Sequence, residues 1–251
     1  MHNGTIRSSL RLAAALLLAG QLLYIVITLL HTGGAANDHA TIFAAYAASA
    51  DWTAVHIGQF VAMAVLLAGL VALSFAVDVQ AGLARWAGRF GAGLAVAALA
   101  LYGALQAVDG VANKQADAAW LNAADAEKAA RFASAEAIRW IEWGMRSYQN
   151  FALGLAVLLL AAAVMRTAWV PKPIAFLMGL AGLTYLAQGW LVGVEGFSPT
   201  LSNAIVLAYA LDVVWMVWLI VVAVRMKGEP ASQHLADAVE SRQGAIQASS
   251  H

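Results

Sequence analysis

Stretches of about 20 mostly apolar residues, the length a helix needs to cross a bilayer core, recur at about 11–31, 54–77, 88–109, 147–166, 173–194 and 203–224. Polar residues inside them repeat at the three-, four- and seven-residue spacings of one helix face. Gln21, Tyr24, Thr28 and His31 form one stripe, and His56 and Gln59, with Trp52 and Met63 a turn either side, form a second. The others are Tyr102, Gln106 and Asp109; Glu142, Arg146 and Gln149; Tyr185, Gln188 and Glu195; and Ser202, Tyr209 and Asp212. Hydrocarbon satisfies neither amides nor carboxylates, so such stripes turn to the bundle interior or to a wet cavity. The pattern predicts an all-α polytopic membrane protein, a six-transmembrane-helix bundle in one domain over residues 1–227. The tail over 228–251, rich in Ser, Gln, Ala and charge without a large apolar face, is predicted to be disordered.

Basic residues fix the expected orientation. Arg7 and Arg11, Arg85 and Arg89, Arg166 and Lys172, and Arg225 and Lys227 all fall on one side, which predicts both termini in the cytoplasm of a plasma-membrane protein. The first apolar run, Leu12 to Leu30, exceeds the roughly 7–15 residues of a signal-peptide core and is expected to be retained. Trp86 and Trp169 fall at the inner boundary, and Trp52, Trp140, Trp143 and Trp190 at the outer one, as aromatic belts do. Between the first two spans, Gly33-Gly34 and Asn37-Asp38 predict a turn, followed by a short helical piece around Phe43 and Tyr46. Asn122, with Asp125 three residues on, predicts a capped helix start that runs into the fourth span. Lys114, a turn past Asp109, is expected to be solvated.

Composition narrows the chemistry. Of 251 residues 62% are hydrophobic and 11% charged, far below the quarter usual for a soluble domain. Fourteen basic and 14 acidic residues leave no field for nucleic acid, and the lack of cysteine removes disulfides, thiolate metal sites and Cys nucleophiles. No GxSxG elbow, P-loop, GxGxxG fingerprint or CxxCH haem-attachment motif occurs. Gly189 and Gly193 form a GxxxG that reads as a close helix contact.

The stripes lie in the outer halves of their spans, which predicts a polar cavity open outward and closed by Ala, Leu and Val below. Candidate ligand-binding residues are Asp212, Glu195, Gln188, Tyr209, Arg146, Glu142, Gln149, Asp109, Gln106, Gln59 and Tyr24. Asp212, about 15 Å below Ser202 at the helical rise, needs a partner such as Arg146, a proton or a cation. Glu142 and Arg146, at i and i+4, suit an intrahelical ion pair. His31 ends one inward stripe and His56 begins another, and imidazole with carboxylate suits a single transition metal such as zinc, copper or iron, or a haem.

The order of these features, with a Pro-marked inner turn before Gly179-Leu180-Ala181-Gly182-Leu183-Thr184-Tyr185-Leu186, resembles the uncharacterised six-span bacterial integral membrane proteins grouped as domains of unknown function. That resemblance implies a six-helix bundle in a bacterial plasma membrane; it assigns no activity and carries over no site residue. The residues themselves predict binding of a small polar ligand or ion in the outward-facing cavity, by a receptor, accessory subunit or transporter. The alternative is a metal- or haem-dependent enzyme acting on a lipid or quinone at the outer leaflet, with Glu142 or Glu195 as a further ligand or general base. The lipid bilayer is the expected surrounding, and a homo-oligomer or a larger membrane complex is open.

Overall fold

A computed structural model of the chain describes residues 3–34, 37–77 and 81–226. These are helical throughout, with no strand among them. In order they form α1 (Asn3–Leu29), α2 (His39–Ala48), α3 (Trp52–Val77), α4 (Leu83–Ala107), a π-helical segment (Val108–Asn113), α5 (Lys114–Leu121), α6 (Asp125–Met165), α7 (Lys172–Glu195) and α8 (Pro199–Arg225). Six stretches are long and apolar enough to cross a membrane: α1 from Ile6, α3, the run Leu83–Leu121, α6, α7 and α8. The chain is thus an all-helical multi-pass membrane protein, and an even number of spans brings both ends to one face. The tail predicted to be disordered lies outside the described residues.

Glycines set how closely the helices approach. A Cβ on Gly20 of α1 would stand 2.4 Å from the Leu66 backbone nitrogen of α3, and one on Gly69 would stand 2.7 Å from that of Leu17. Gly154 of α6 and Gly182 of α7 meet in the same way, each with its Cβ position within 3.0 Å of the other's carbonyl oxygen. Gly189 abuts the Ser147 carbonyl, which makes the predicted GxxxG a packing contact. Below these contacts the core is Leu10, Leu17, Leu67, Leu70, Leu73, Leu160, Ile174 and Trp215, all essentially inaccessible. At the terminal face, Arg11 Nε and Nη2 donate to the Ala223 and Val224 carbonyls at 3.0 and 3.1 Å, taking up orphan acceptors at the end of α8.

Three expectations change. The capped start at Asn122 is absent: Ala124 precedes α6 without a side-chain cap, and Asn122 closes α5 by donating to the Ala118 carbonyl. Asp125 and Glu127 still place negative charge in the first turn, where the helix dipole favours it. Lys114 is not solvated, because its Nζ donates to the Tyr46, Ala47 and Ser49 carbonyls at 2.7–2.9 Å and so clamps the end of α2. Trp52 is no belt residue; it is 2% exposed and its indole N–H donates to the Gly110 carbonyl. As expected, the helix after Ala124 runs on into the fourth span: α6 has 41 residues, about 61 Å at the helical rise, so it crosses and then projects well beyond a hydrocarbon core of about 30 Å. The 32–53 segment does form a turn and a short helix, with Asp38 capping α2 through the Thr41 amide.

Candidate functional site

At the end of the bundle opposite the termini, a recess of about 320 Å3 lies between α1, α2, the π segment, α6 and α8. Tyr24, Thr28 and His31 reach it from α1 and the bend beyond it. Gln59 comes from α3, Gln106 and Asp109 from α4 and the π segment, Arg139, Glu142 and Arg146 from α6, and Ser202 and Tyr209 from α8. The i, i+3 and i+7 spacing of Arg139, Glu142 and Arg146 sets them on one face of α6, and the stripes of α1 and α8 present Tyr24 and Tyr209 in the same way.

The π segment supplies the geometry that α-helical periodicity would not. Its wider turn carries Asp109 to 3.3 Å from His56 Nε2 and sets Gly110 against His56, where an added Cβ would stand 2.9 Å from the His56 Cβ. His56 Nδ1 lies 2.8 Å from the Trp52 carbonyl oxygen; a carbonyl only accepts, so Nδ1 carries the proton and Nε2 is left facing Asp109 without a hydrogen-bond partner. The His31 ring stands 5.1 Å from that of His56, and Trp52 packs against both. One ligand atom each from His31, His56 and Asp109 all lie within 4.8 Å of one another. Burial pushes the His31 pKa below the ordinary histidine value, against the pull of Asp109, so the ring is neutral at pH 7.

On α6 the predicted pairing is replaced. Glu142 does not bond Arg146; its Oε2 accepts from Arg139 Nη1 at 2.5 Å and from Asn113 Nδ2 at 2.6 Å. Asn113 also donates to Asp109, and Arg139 to the Tyr46 hydroxyl, so a buried network runs from α2 to the π segment. Burial pushes the Tyr46 pKa upward, with Arg139 opposing, and the hydroxyl stays protonated. Arg146 is left with one partner among the described residues, the Tyr24 hydroxyl at 3.1 Å, which also accepts from Tyr102. Its guanidinium therefore lines the recess without a counter-ion.

Of the sequence candidates, Tyr24, His31, Gln59, Gln106, Asp109, Glu142, Arg146 and Tyr209 line the recess. His56 sits behind Asp109 and borders a separate apolar groove with Ile57, Phe60 and Val111. Gln149 and Gln188 are buried elsewhere, and Glu195 is exposed at the end of α7. Asp212 meets neither Arg146 nor the recess: Tyr185 donates to its Oδ2 at 2.6 Å and Trp215 Nε1 to its Oδ1 at 2.9 Å. Asp212→Asn is therefore expected to leave stability within about 1 kcal/mol, because an amide oxygen still accepts from Trp215 while its NH2 donates to Tyr185. Asp212→Leu strands two buried donors at about 1–3 kcal/mol each; thermal unfolding of the two variants reads the difference. Sequence reasoning missed Arg139 and Asn113, although the i, i+3 spacing of Arg139 and Glu142 was a usable signal.

Bis-imidazole haem ligation needs the two rings on opposite faces of the macrocycle. Here Asp109 and Trp52 pack against the imidazole pair, so the cluster suits a small ion and not a haem. Comparisons with protein-family models, with curated proteins and with solved structures return no match.

Proposed function

We propose that this is a bacterial plasma-membrane protein with both termini cytoplasmic that binds a small anionic ligand in an outward-facing recess, as a receptor, accessory subunit or transporter. One observation carries the reading: Arg146 lines the recess without a carboxylate partner. Arg146 stands about 28 Å along α6 from Met165, near the outer edge of the core, and its guanidinium is held inside the bundle, where an opposite charge or water must meet it. Around it Tyr24, Thr28, Gln59, Gln106, Ser202 and Tyr209 offer hydroxyls and amides that fix an oxyanion's orientation. A volume of about 320 Å3 falls at the small end of ligand pockets. The orientation is supported by the basic residues clustered at the terminal face.

The test is thermal unfolding of the full chain in detergent with phosphate, sulfate or succinate, against chloride at matched ionic strength. Saturable stabilisation by one of them is expected, about 2.7 kcal/mol at a hundredfold excess over Kd, and Arg146→Gln abolishes it. Equal stabilisation in Arg146→Gln, or none in the native chain, overturns the reading.

The second reading, a metal-dependent enzyme acting on a lipid or quinone at the outer leaflet, is favoured by one specific observation. His56 lies between the polar recess and an apolar groove whose Ile57 and Val111 are exposed on the bundle surface, so an amphipathic molecule could reach it from the lipid side.

A further inference from the structure

We infer that His31, His56 and Asp109 form a binding site for one divalent first-row transition-metal ion, with its free coordination positions on the side of the recess. The inference goes beyond the anion reading and does not depend on it.

Three features converge. The donor set is two imidazole nitrogens and one carboxylate, which suits zinc, iron, cobalt or copper and not calcium or magnesium. Around a tetrahedral ion with bonds of about 2.1 Å the donor atoms stand roughly 3.4 Å apart. His56 Nε2 and Asp109 Oδ2 are already 3.3 Å apart, and the whole set lies within 4.8 Å. Closure takes no more than about 1.4 Å on that scale, at His31 on its bend just past α1.

The second feature is the orientation of His56. Donation of Nδ1–H to the Trp52 carbonyl is the outer-shell bond that aims a metal-ligating imidazole and fixes its tautomer. It leaves a ring nitrogen on a residue only 4% exposed, without a hydrogen-bond partner and directed at a carboxylate. With Nε2 unprotonated two lone pairs would face each other across 3.3 Å, an arrangement that either a shared proton or a shared cation relieves.

The third is how the cluster is held. Asp109 Oδ1 accepts from Asn113, Trp52 packs on both imidazoles, and Gly110 alone leaves room for the His56 ring. Three protein ligands with His31 and Asp109 lining the recess describe an open site, and not the closed four-ligand kind that serves folding.

The experiment uses the untagged full chain in detergent, purified without chelator. Elemental analysis is expected to find about one ion per chain; after EDTA treatment, added Co(II) is expected to restore one equivalent with visible d–d absorption. His56→Ala and Asp109→Asn should each weaken Co(II) binding at least tenfold, and Gly110→Ala should weaken it by displacing the imidazole. His39→Ala, whose ring pairs with Glu136 outside the cluster, keeps the signal. Arg146→Gln also keeps it, so loss of anion binding and loss of the metal site are read separately. Variants are compared only where size-exclusion profiles match the native chain, and Asp109→Asn, nearly isosteric, guards against misfolding. A native chain without stoichiometric ion or Co(II) absorption overturns the inference, since His56 and Asp109 are then a plain ion pair. Absorption that persists in a His31→Ala, His56→Ala double variant overturns it too, by placing the ion elsewhere.

Discussion

Replacing Arg139 by Met is expected to lower stability by about 3–5 kcal/mol, the cost of breaking a buried ion pair from one side. Arg139 and Glu142 are 3% and 2% exposed and stand 2.5 Å apart. With the guanidinium gone, Glu142 keeps only the Asn113 amide as a partner and lies beside Asp109 with no compensating charge. The methionine stem replaces part of the lost packing against Tyr46 and Phe197, over whose rings the guanidinium lies at 5.3 and 4.7 Å. Arg139→Met with Glu142→Leu should recover most of the loss, because no charge is then stranded. Reversible SDS unfolding followed by tryptophan fluorescence measures both. A single-variant loss below about 1 kcal/mol would mean that the pair is solvated and that the network does not hold α2 to the π segment.

Gly20→Ala is the second large effect. Its new methyl would stand 2.4 Å from the Leu66 nitrogen and 2.7 Å from its Cα, both backbone atoms that no rotamer change can move. Either α1 separates from α3 or the bundle carries the clash, at about 1–3 kcal/mol or more for overpacking. Gly93→Ala and Gly179→Ala provide the control, since nothing lies within 4 Å of either Cβ position. They should be neutral or gain up to about 1 kcal/mol from helix propensity. The same unfolding measurement ranks the three; a Gly20→Ala protein as stable as Gly93→Ala would show that α1 and α3 do not meet at this distance.

The spans were legible because twenty apolar residues in a row leave few alternatives, and the stripes were legible because polar groups in lipid must share an interior. Tyr24, Gln59, Gln106, Asp109 and Tyr209 were found this way, and each lines the recess. What escaped depends on contacts distant in sequence. Glu142 has an arginine at both i−3 and i+4, and helix geometry ranks the two equally; the choice of Arg139 is made by Tyr46 and Asn113, which bond the members of that pair. Arg139 itself sat in an Ala-rich amphipathic stretch whose inward face could not be assigned a partner, because α2, which covers it, belongs to another part of the chain. Lys114 looked free for the same reason, its three acceptors lying 65 to 68 residues earlier. The meeting of Asp109 with His56 required a π turn, and apolar periodicity does not announce one.

That turn has a consequence for how such a protein can change over generations. A π turn holds one residue more than an α turn, so losing a single codon within Val108–Asn113 would let the helix close to regular α geometry. The helix beyond would keep nearly the same phase, because the wider turn had taken up the extra residue, and the change would fall on the turn itself, where Asp109 and Gly110 meet His56 and Asn113 meets Glu142. The cluster around Asp109 can thus be gained or lost in a single insertion or deletion while Lys114, beyond the turn, keeps its hold on α2.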